Sequence, residues 1–154
     1  MRRFSRRTCH EIWRTAIRRV GGQGLRQASP DQVPRTVYES VGGKLFFIDL
    51  VERFYAGVET DSILRPLYPP NLGPGKRHLH LFLMQYFGGP ATYSEERGHP
   101  RLRARHMPFT VGESERAAWI KRMQTRLEKA TAEQRPKLEM LKYFENAARF
   151  MINR

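Results

Sequence analysis

Helical periodicity interrupted by glycine and proline is the feature that most limits what this chain can fold into. Apolar residues recur three and four positions apart along most of the sequence, and no segment alternates between apolar and polar with period two. Stretches rich in glycine and proline break this pattern at short intervals. A chain of 154 residues is long enough to bury one hydrophobic core. We therefore predict a single all-α domain built from several short helices.

The first 35 residues have the composition of a separate basic extension. They contain nine arginines against Glu11 and Asp31, so +7 of the total charge of +13 lies in this segment. Apolar residues between Ile12 and Val20 have helical spacing, and the glycines and prolines that follow end the pattern. We predict that residues 1–35 are an arginine-rich extension, flexible or folded as a short helix, and that residues 36–154 form the globular domain.

Charge and composition exclude several classes of function. Basic residues beyond the extension are largely balanced by acidic ones and no helix-turn-helix pattern occurs, so we expect no nucleic-acid partner. A nucleic-acid binder that depends on the extension stays a minor hypothesis, tested by deleting residues 1–35. No run of about 18 apolar residues occurs, so we expect no membrane span. The single cysteine, Cys9, cannot form an internal disulfide, and we expect a cytoplasmic protein.

Local signals predict where the helices begin and end. Thr36 and Glu39 have the spacing of a capping box, and Gly42-Gly43 would end that helix after barely two turns. A capped single turn over residues 60–66 would leave Leu67-Tyr68 at a corner. Longer helices are predicted over residues 44–59, 76–87, 113–130 and 136–152, with a loop at 71–75 and a polar, interrupted stretch from 91 to 100.

One histidine of the five differs from an ordinary surface residue. His106 ends a short helix that is predicted to begin at Pro100 and to stop before Pro108. Leu102 lies one turn earlier on the same face, and Phe109 follows the break. A single neutral imidazole on an apolar wall suits haem iron, which needs one strong axial nitrogen and a dry slot.

The remaining chemical motifs point to no other site. His78 and His80 are two residues apart on a helix, so they face different directions and cannot chelate one metal together. Acidic pairs such as Glu95-Glu96 lie in polar segments without the apolar surroundings that acid-base catalysis by carboxyl groups needs. No Gly-x-Ser-x-Gly motif occurs, so hydrolysis by a serine nucleophile is not supported.

A series of ordered motifs runs from Thr36 to Ile152. It comprises Phe54-Tyr55, Leu67-Tyr68-Pro69, the run from Phe82 to Pro90, Tyr93-Ser94-Glu95, the run from Gly98 to Phe109, and Trp119. This series closely resembles the group II truncated haemoglobins, and the run from Gly88 to Phe109 is long enough to be specific. The resemblance implies a truncated globin domain, a two-over-two helical sandwich around haem b, with a flexible stretch before the helix that carries the iron ligand.

The resemblance also assigns the residues of the haem site. It implies that His106 is the protein ligand of a five-coordinate iron. Further contacts with the haem are implied for Leu79, Tyr93, His99, Leu102, Arg105, Phe109 and Trp119.

On the gas-binding side, the resemblance implies a polar pocket. Tyr55 and Tyr68 would place phenol groups over the iron, and Trp119 would offer an indole N–H. Gly75, with Leu79 one turn further along, takes the position that is histidine in ordinary globins, and so small a residue would leave an entrance open. The competing interpretation of the three aromatic residues is that they belong to the core, with their polar ends satisfied there.

The leading hypothesis for function is reversible binding of dioxygen, carbon monoxide and nitric oxide. The alternative is an enzyme, a nitric oxide dioxygenase or a peroxidase working at the same iron. Since the sequence contains no nucleotide-binding motif, such an enzyme would need an external reductase. We expect a monomer or a homodimer.

Overall fold

The computed structural model describes residues 35–154, and this part of the chain contains seven α-helices, one 3₁₀ turn and no strand. The helices are α1 (Val37–Ser40), α2 (Lys44–Glu59), α3 (Gly73–Tyr86), α4 (Thr92–Arg97), α5 (Leu102–His106), α6 (Glu113–Glu128) and α7 (Gln134–Met151), and the 3₁₀ turn is Arg65–Leu67. The all-α prediction is confirmed for this part of the chain. The predicted structure of the basic extension concerns residues outside the described range.

Two helix pairs form the body of the domain. Helix α2 packs against α3, α6 packs against α7, and a contact between α2 and α6 joins the two pairs. Phe47, Phe54 and Phe144 are buried where these helices meet, each at most 1% exposed. Burying a side chain of this size contributes about 1.5–3 kcal/mol, so this aromatic core is a main source of stability. The short helices attach at the margins, α4 on α3 and α5 on α7.

The first helix begins where the sequence predicts, but its four residues make about one turn instead of two. The hydroxyl of Thr36 accepts a hydrogen bond from the Glu39 N–H at 3.2 Å, and the Glu39 carboxylate accepts one from the Thr36 N–H at 2.9 Å. This reciprocal capping starts α1, and Gly42 and Gly43, both with positive φ, follow its end. Helix α2 covers residues 44–59, as its apolar spacing predicts.

Part of the loop predicted at residues 71–75 is helical instead. Helix α3 begins at Gly73, because the Asn71 side chain accepts a hydrogen bond from the Gly73 N–H at 3.0 Å. Pro74 is compatible with a first helical turn, since proline lacks only an N–H that would have no partner there. The sequence predicts a loop over residues 71–75, whereas residues 73–75 form the start of a helix.

A second difference is helix α4, which lies in the stretch predicted to be polar and interrupted. The side-chain amide of Gln85 donates to the Ser94 hydroxyl at 2.7 Å and accepts from the Ser94 N–H at 2.9 Å. These two bonds join α3 to α4 and hold six residues that have no helical apolar pattern of their own. A contact between elements therefore decides this helix.

Helix α5 begins at Leu102, two residues later than predicted from Pro100. Arg101 has a φ of 43° and a ψ of 47°, the left-handed conformation that non-glycine residues rarely adopt. It is the single non-glycine residue with positive φ between residues 35 and 154. The left-handed residue turns the chain into α5 and shortens this helix to five residues.

None of the helices in the described part of the chain is long and apolar enough to cross a membrane.

Candidate functional site

Two tyrosines predicted to line the gas-binding side lie in contact. Tyr55, on α2, is 4% exposed, and Tyr68 directly follows the 3₁₀ turn. Their rings meet edge to face, with centroids 5.6 Å apart. The corner predicted at Leu67-Tyr68 thus brings the second phenol next to the first.

Trp119 joins these two tyrosines from the other helix pair. Its indole packs edge to face against Phe54, the neighbour of Tyr55, with ring centroids 5.6 Å apart, and against Phe144 at 5.7 Å. Phe54 in turn packs edge to face against Tyr55, with ring centroids 5.4 Å apart. The structure therefore gathers Tyr55, Tyr68 and Trp119 into one group, which we call the aromatic donor cluster.

Both phenols of this cluster are held in the neutral form. Burial raises the pKa of Tyr68 to about 12, although its interaction with Trp119 acts in the opposite direction. Burial also raises the pKa of Tyr55 well above the usual value for a phenol, and the nearby Tyr68 adds to this effect. At neutral pH, each tyrosine therefore carries an O–H that can donate a hydrogen bond.

Alkaline titration should reveal these shifts. Burial is the main cause that raises the pKa of four of the six tyrosines, Tyr55, Tyr68, Tyr86 and Tyr143. We expect the folded protein to show less phenolate absorbance at about pH 11 than the unfolded chain. Because the folded state then holds more protons, the free energy of unfolding should be maintained below pH 10 and fall from there towards pH 12. Coincident titration curves of the folded and unfolded protein would contradict this.

Gly75 lies against Tyr55 of the donor cluster. It is in the first turn of α3, and a Cβ atom at this position would be 2.6 Å from the Tyr55 hydroxyl oxygen. Leu79 follows one turn later and is partly buried against the core. Glycine at position 75 is therefore what allows the Tyr55 phenol to approach α3.

Replacing Gly75 with alanine should displace the Tyr55 hydroxyl. We expect a loss of about 1–3 kcal/mol in the free energy of unfolding, the usual cost of overpacking. In a Tyr55→Phe background the nearest remaining ring atom is 3.4 Å away, an ordinary contact, so most of this loss should disappear. Denaturant unfolding of the two single variants and the double variant measures the coupling. Additive effects would mean that the two residues do not touch.

The segment that leads from α2 to Tyr68 is hydrogen-bonded to α6. The Asp61 carboxylate accepts hydrogen bonds from the N–H groups of Ile63 and Leu64 and, at 2.9 Å, from Nε of Arg122 on α6. These contacts, the Leu64 N–H first, hold the pKa of Asp61 below its usual value. The sequence predicts a capped turn over residues 60–66 without choosing among Thr60, Asp61 and Ser62 as the cap. It gives no sign of Arg122, which is 61 positions from Asp61.

The His106 side chain has one ring nitrogen fixed by the backbone. Its ring is partly buried at the end of α5, and Nδ1 lies 2.7 Å from the Leu102 carbonyl oxygen. In the tautomer that donates this hydrogen bond, Nε2 carries the lone pair. Metal-binding histidines are usually fixed in this way, with the nitrogen that does not bind the metal donating to a carbonyl or carboxylate.

Side chains from α3 and α4 form a second feature, a contact between Arg97 and His78 that the sequence did not predict. Nη1 of Arg97 lies 2.7 Å from Nε2 of His78. Burial lowers the pKa of His78, and the nearby Arg97 and Arg105 lower it further. A neutral His78 can accept the hydrogen bond from Arg97. Arg97 was missed, because an arginine at the end of a short polar segment has no distinguishing pattern.

The other predicted contact residues have partners of their own. Tyr93 is buried and packs edge to face against Phe82, with ring centroids 5.5 Å apart. The His99 ring accepts a hydrogen bond from the Arg101 N–H at 3.2 Å. These contacts hold the segment that leads into α5.

Arg105 and Phe109 flank His106. Arg105 donates to the carbonyl oxygens of Pro100 at 2.9 Å and Arg97 at 3.3 Å. The Phe109 ring is 45% exposed, and its N–H donates to the His106 carbonyl at 3.0 Å. Both residues therefore lie close to the predicted ligand along the chain.

Comparison with known proteins bears on the identity of this site. The family model of bacterial-like globins matches residues 36–153. The group 2 truncated haemoglobin YjbI of Bacillus subtilis is 37% identical over 116 residues, which cover 75% of this chain and 87% of the relative. The chain belongs to the group II truncated haemoglobins.

Solved structures agree with this family. The haemoglobin of the thermophilic phototrophic bacterium Chloroflexus aurantiacus is 52% identical and superimposes with a TM-score of 0.77, covering 78% of this chain and 99% of that one. The truncated oxygen-avid haemoglobin of Bacillus subtilis is 35% identical, with a TM-score of 0.74, and covers 77% of this chain and 100% of that one. The truncated globin fold predicted from the sequence is confirmed.

Membership of the truncated haemoglobins implies binding of diatomic ligands at a haem, and the side chains of this chain suit that group. His106 has one nitrogen committed to a backbone carbonyl and the other available. The backbone at Gly75 lies close to the Tyr55 hydroxyl, because glycine has no Cβ atom that would collide with it. The guanidinium of Arg97, which contacts a neutral His78, suits carboxylates such as those on the haem edge.

Proposed function

We propose that this truncated haemoglobin binds haem b through Nε2 of His106 and holds dioxygen, carbon monoxide or nitric oxide beside the aromatic donor cluster. The observation that carries the proposal is the meeting of Tyr55, Tyr68 and Trp119 in one group, with both phenols neutral. The haem, when bound, supplies the iron atom at which diatomic ligands bind.

The protein would contribute the ligand nitrogen and a dry surrounding. Leu102 lies one turn before His106 and Leu79 lies one turn after Gly75, and both leucines are partly buried against the core. Apolar side chains on either side would exclude water, which strengthens hydrogen bonds made inside the site.

The donor cluster would tune the binding of oxygen. O–H and N–H donors would favour a ligand that carries partial negative charge, such as dioxygen, over an uncharged ligand. Tyr55, Tyr68 and Trp119 together offer three donors, and Gly75 leaves the Tyr55 hydroxyl room. The proposal therefore includes slow release of oxygen. The oxygen-avid haemoglobin of Bacillus subtilis, a structural neighbour, agrees with this direction.

The basic side chains would hold the edge of the haem. We assign Arg97, paired with His78, and the neighbouring Arg105 to its propionate carboxylates. Guanidinium groups bind carboxylates through charge-assisted hydrogen bonds, which are stronger than those between neutral groups. The two arginines lie on either side of the turn that leads into α5, so they would also fix the haem relative to His106.

The density of donors also favours a second candidate function, the oxidation of nitric oxide to nitrate. A site that releases oxygen slowly suits reaction better than transport, because the oxygen stays in place until a second molecule arrives. Each turnover would consume one nitric oxide, one dioxygen and one electron from an external reductase. Nitrate measured over many turnovers with a reductase and nitric oxide tests this activity, and formation limited to one equivalent would exclude it.

A visible spectrum tests the leading proposal. The purified protein is titrated with hemin, reduced with dithionite and exposed to carbon monoxide. We expect a Soret band that saturates at one haem per chain and that sharpens and shifts with carbon monoxide. Absence of a saturable band would overturn the proposal.

A further inference from the structure

The C-terminal segment is tied to the backbone around His106 by one side chain. The Asn153 amide nitrogen donates to the Phe109 carbonyl at 2.8 Å and to the His106 carbonyl at 3.3 Å. The side-chain oxygen of Asn153 accepts a hydrogen bond from the Val111 N–H at 3.0 Å, and the backbone N–H of Asn153 donates to the Val111 carbonyl at 2.9 Å. One residue thus makes four hydrogen bonds to a six-residue segment that begins at His106.

A second contact links α5 to the same end of α7. Nη1 of Arg103 donates to the carbonyl oxygens of Phe150 and, at 3.3 Å, Ile152. Its guanidinium also lies over the Phe150 ring, 5.3 Å from the ring centroid. Cations at the C-terminus of a helix are favourable, because the last carbonyl groups there have no partner within the helix.

Helix α5 needs such external support. It has five residues, and a helix this short does not persist on its own in water. It follows a left-handed arginine and ends in a segment where Met107 and Phe109 are both substantially exposed. The hydrogen bonds made by Asn153 and Arg103 therefore attach α5, which carries His106, to the C-terminal end of α7 and the residues that follow it.

We propose that Asn153 is a positioning residue for His106, fixing the direction in which Nε2 points. This inference rests on the proposed function, in which Nε2 binds haem iron. Asn153 touches no haem or gas ligand in this assignment and acts through the backbone carbonyls of His106 and Phe109. Two hydrogen bonds go to the carbonyls of His106 and Phe109, and two go to the backbone of Val111. Together they fix the position and the orientation of the segment after α5.

The test is the iron–histidine stretching band in resonance Raman spectra of the reduced, haem-loaded protein. Asn153→Ala removes the side-chain bonds. Asn153→Asp keeps an acceptor for the Val111 N–H but replaces the donor that faces His106 and Phe109 with a second acceptor. Asn146→Ala, which replaces an exposed asparagine on α7, is the matched control. Thermal unfolding of every variant is followed in parallel.

We expect the band to shift and broaden in both Asn153 variants and to stay unchanged in Asn146→Ala. Haem release should accelerate roughly 10-fold, the lower end of what loss of an outer contact to a metal ligand costs. A lowered melting temperature with an unchanged band would overturn the inference and make Asn153 merely structural. If Asn153→Ala does not fold, Asn153→Asp alone decides in the same way. An unaltered chain that loads haem without a histidine band would instead overturn the proposed function.

Discussion

Replacement of His106 with alanine is expected to lower the affinity for haem by more than about 100-fold. Loss of a group that only supports a metal ligand costs up to about 100-fold, and loss of the ligand itself should cost more. The reason is that Nε2 is the free nitrogen of an imidazole already fixed at Nδ1 by the Leu102 carbonyl. The iron–histidine band should vanish from the spectrum of any haem that remains. Transfer of haem to an acceptor protein measures the affinity, and added imidazole should restore a nitrogen-ligated spectrum in the variant.

His80→Ala is a closely matched control. This histidine is also partly buried, and its Nδ1 lies 3.1 Å from the carbonyl oxygen four residues earlier, Lys76. Its charged neighbours are Arg77, Lys44 and Glu52, and the structure gives it no contact with the donor cluster. We expect unchanged haem affinity. If His80→Ala lost haem while His106→Ala kept a native reduced spectrum, the ligand assignment would be wrong.

Replacement of Trp119 with phenylalanine is expected to speed the release of oxygen roughly 10- to 100-fold. Phenylalanine keeps a ring against Phe54 and Phe144 but has no N–H. A hydrogen bond to a charged group contributes about 1.5–3 kcal/mol, and each 1.4 kcal/mol corresponds to a factor of ten. Stopped-flow displacement of oxygen by carbon monoxide measures the rate. Carbon monoxide carries less charge, so its release should change much less.

Tyr38→Phe serves as the control for this experiment. Tyr38 is also a partly buried aromatic residue, and it stacks on Phe47 with ring centroids 5.9 Å apart, away from the donor cluster. Its oxygen release should equal that of the unaltered protein. If Trp119→Phe and Tyr38→Phe behaved alike, Trp119 would be a core residue, the competing interpretation that the sequence left open. Combining Trp119→Phe with Tyr55→Phe should give a non-additive effect, because both residues would serve one ligand.

The sequence was sufficient for those elements whose signals lie within a few residues of each other. Capping by Thr36 and Glu39 placed α1, and the spacing of Phe47, Leu50 and their successors placed α2 with the bounds observed. The ordered run from Gly88 to Phe109 identified the family, and comparison with known proteins confirmed it. The roles assigned to His106 and the donor cluster stay predictions, now supported by their geometry.

Tertiary structure alone decided the features that depend on residues far apart in the chain. The bond between Asp61 and Arg122 spans 61 positions and that between Val111 and Asn153 spans 42, so neither leaves a local pattern. The same holds for α4, which depends on Gln85 meeting Ser94. Local spacing encodes which face of a helix is apolar, because that face repeats every three or four residues. Which polar side chains then meet is decided only when the helices pack, because a single lysine, arginine or asparagine on a surface carries no periodic signal.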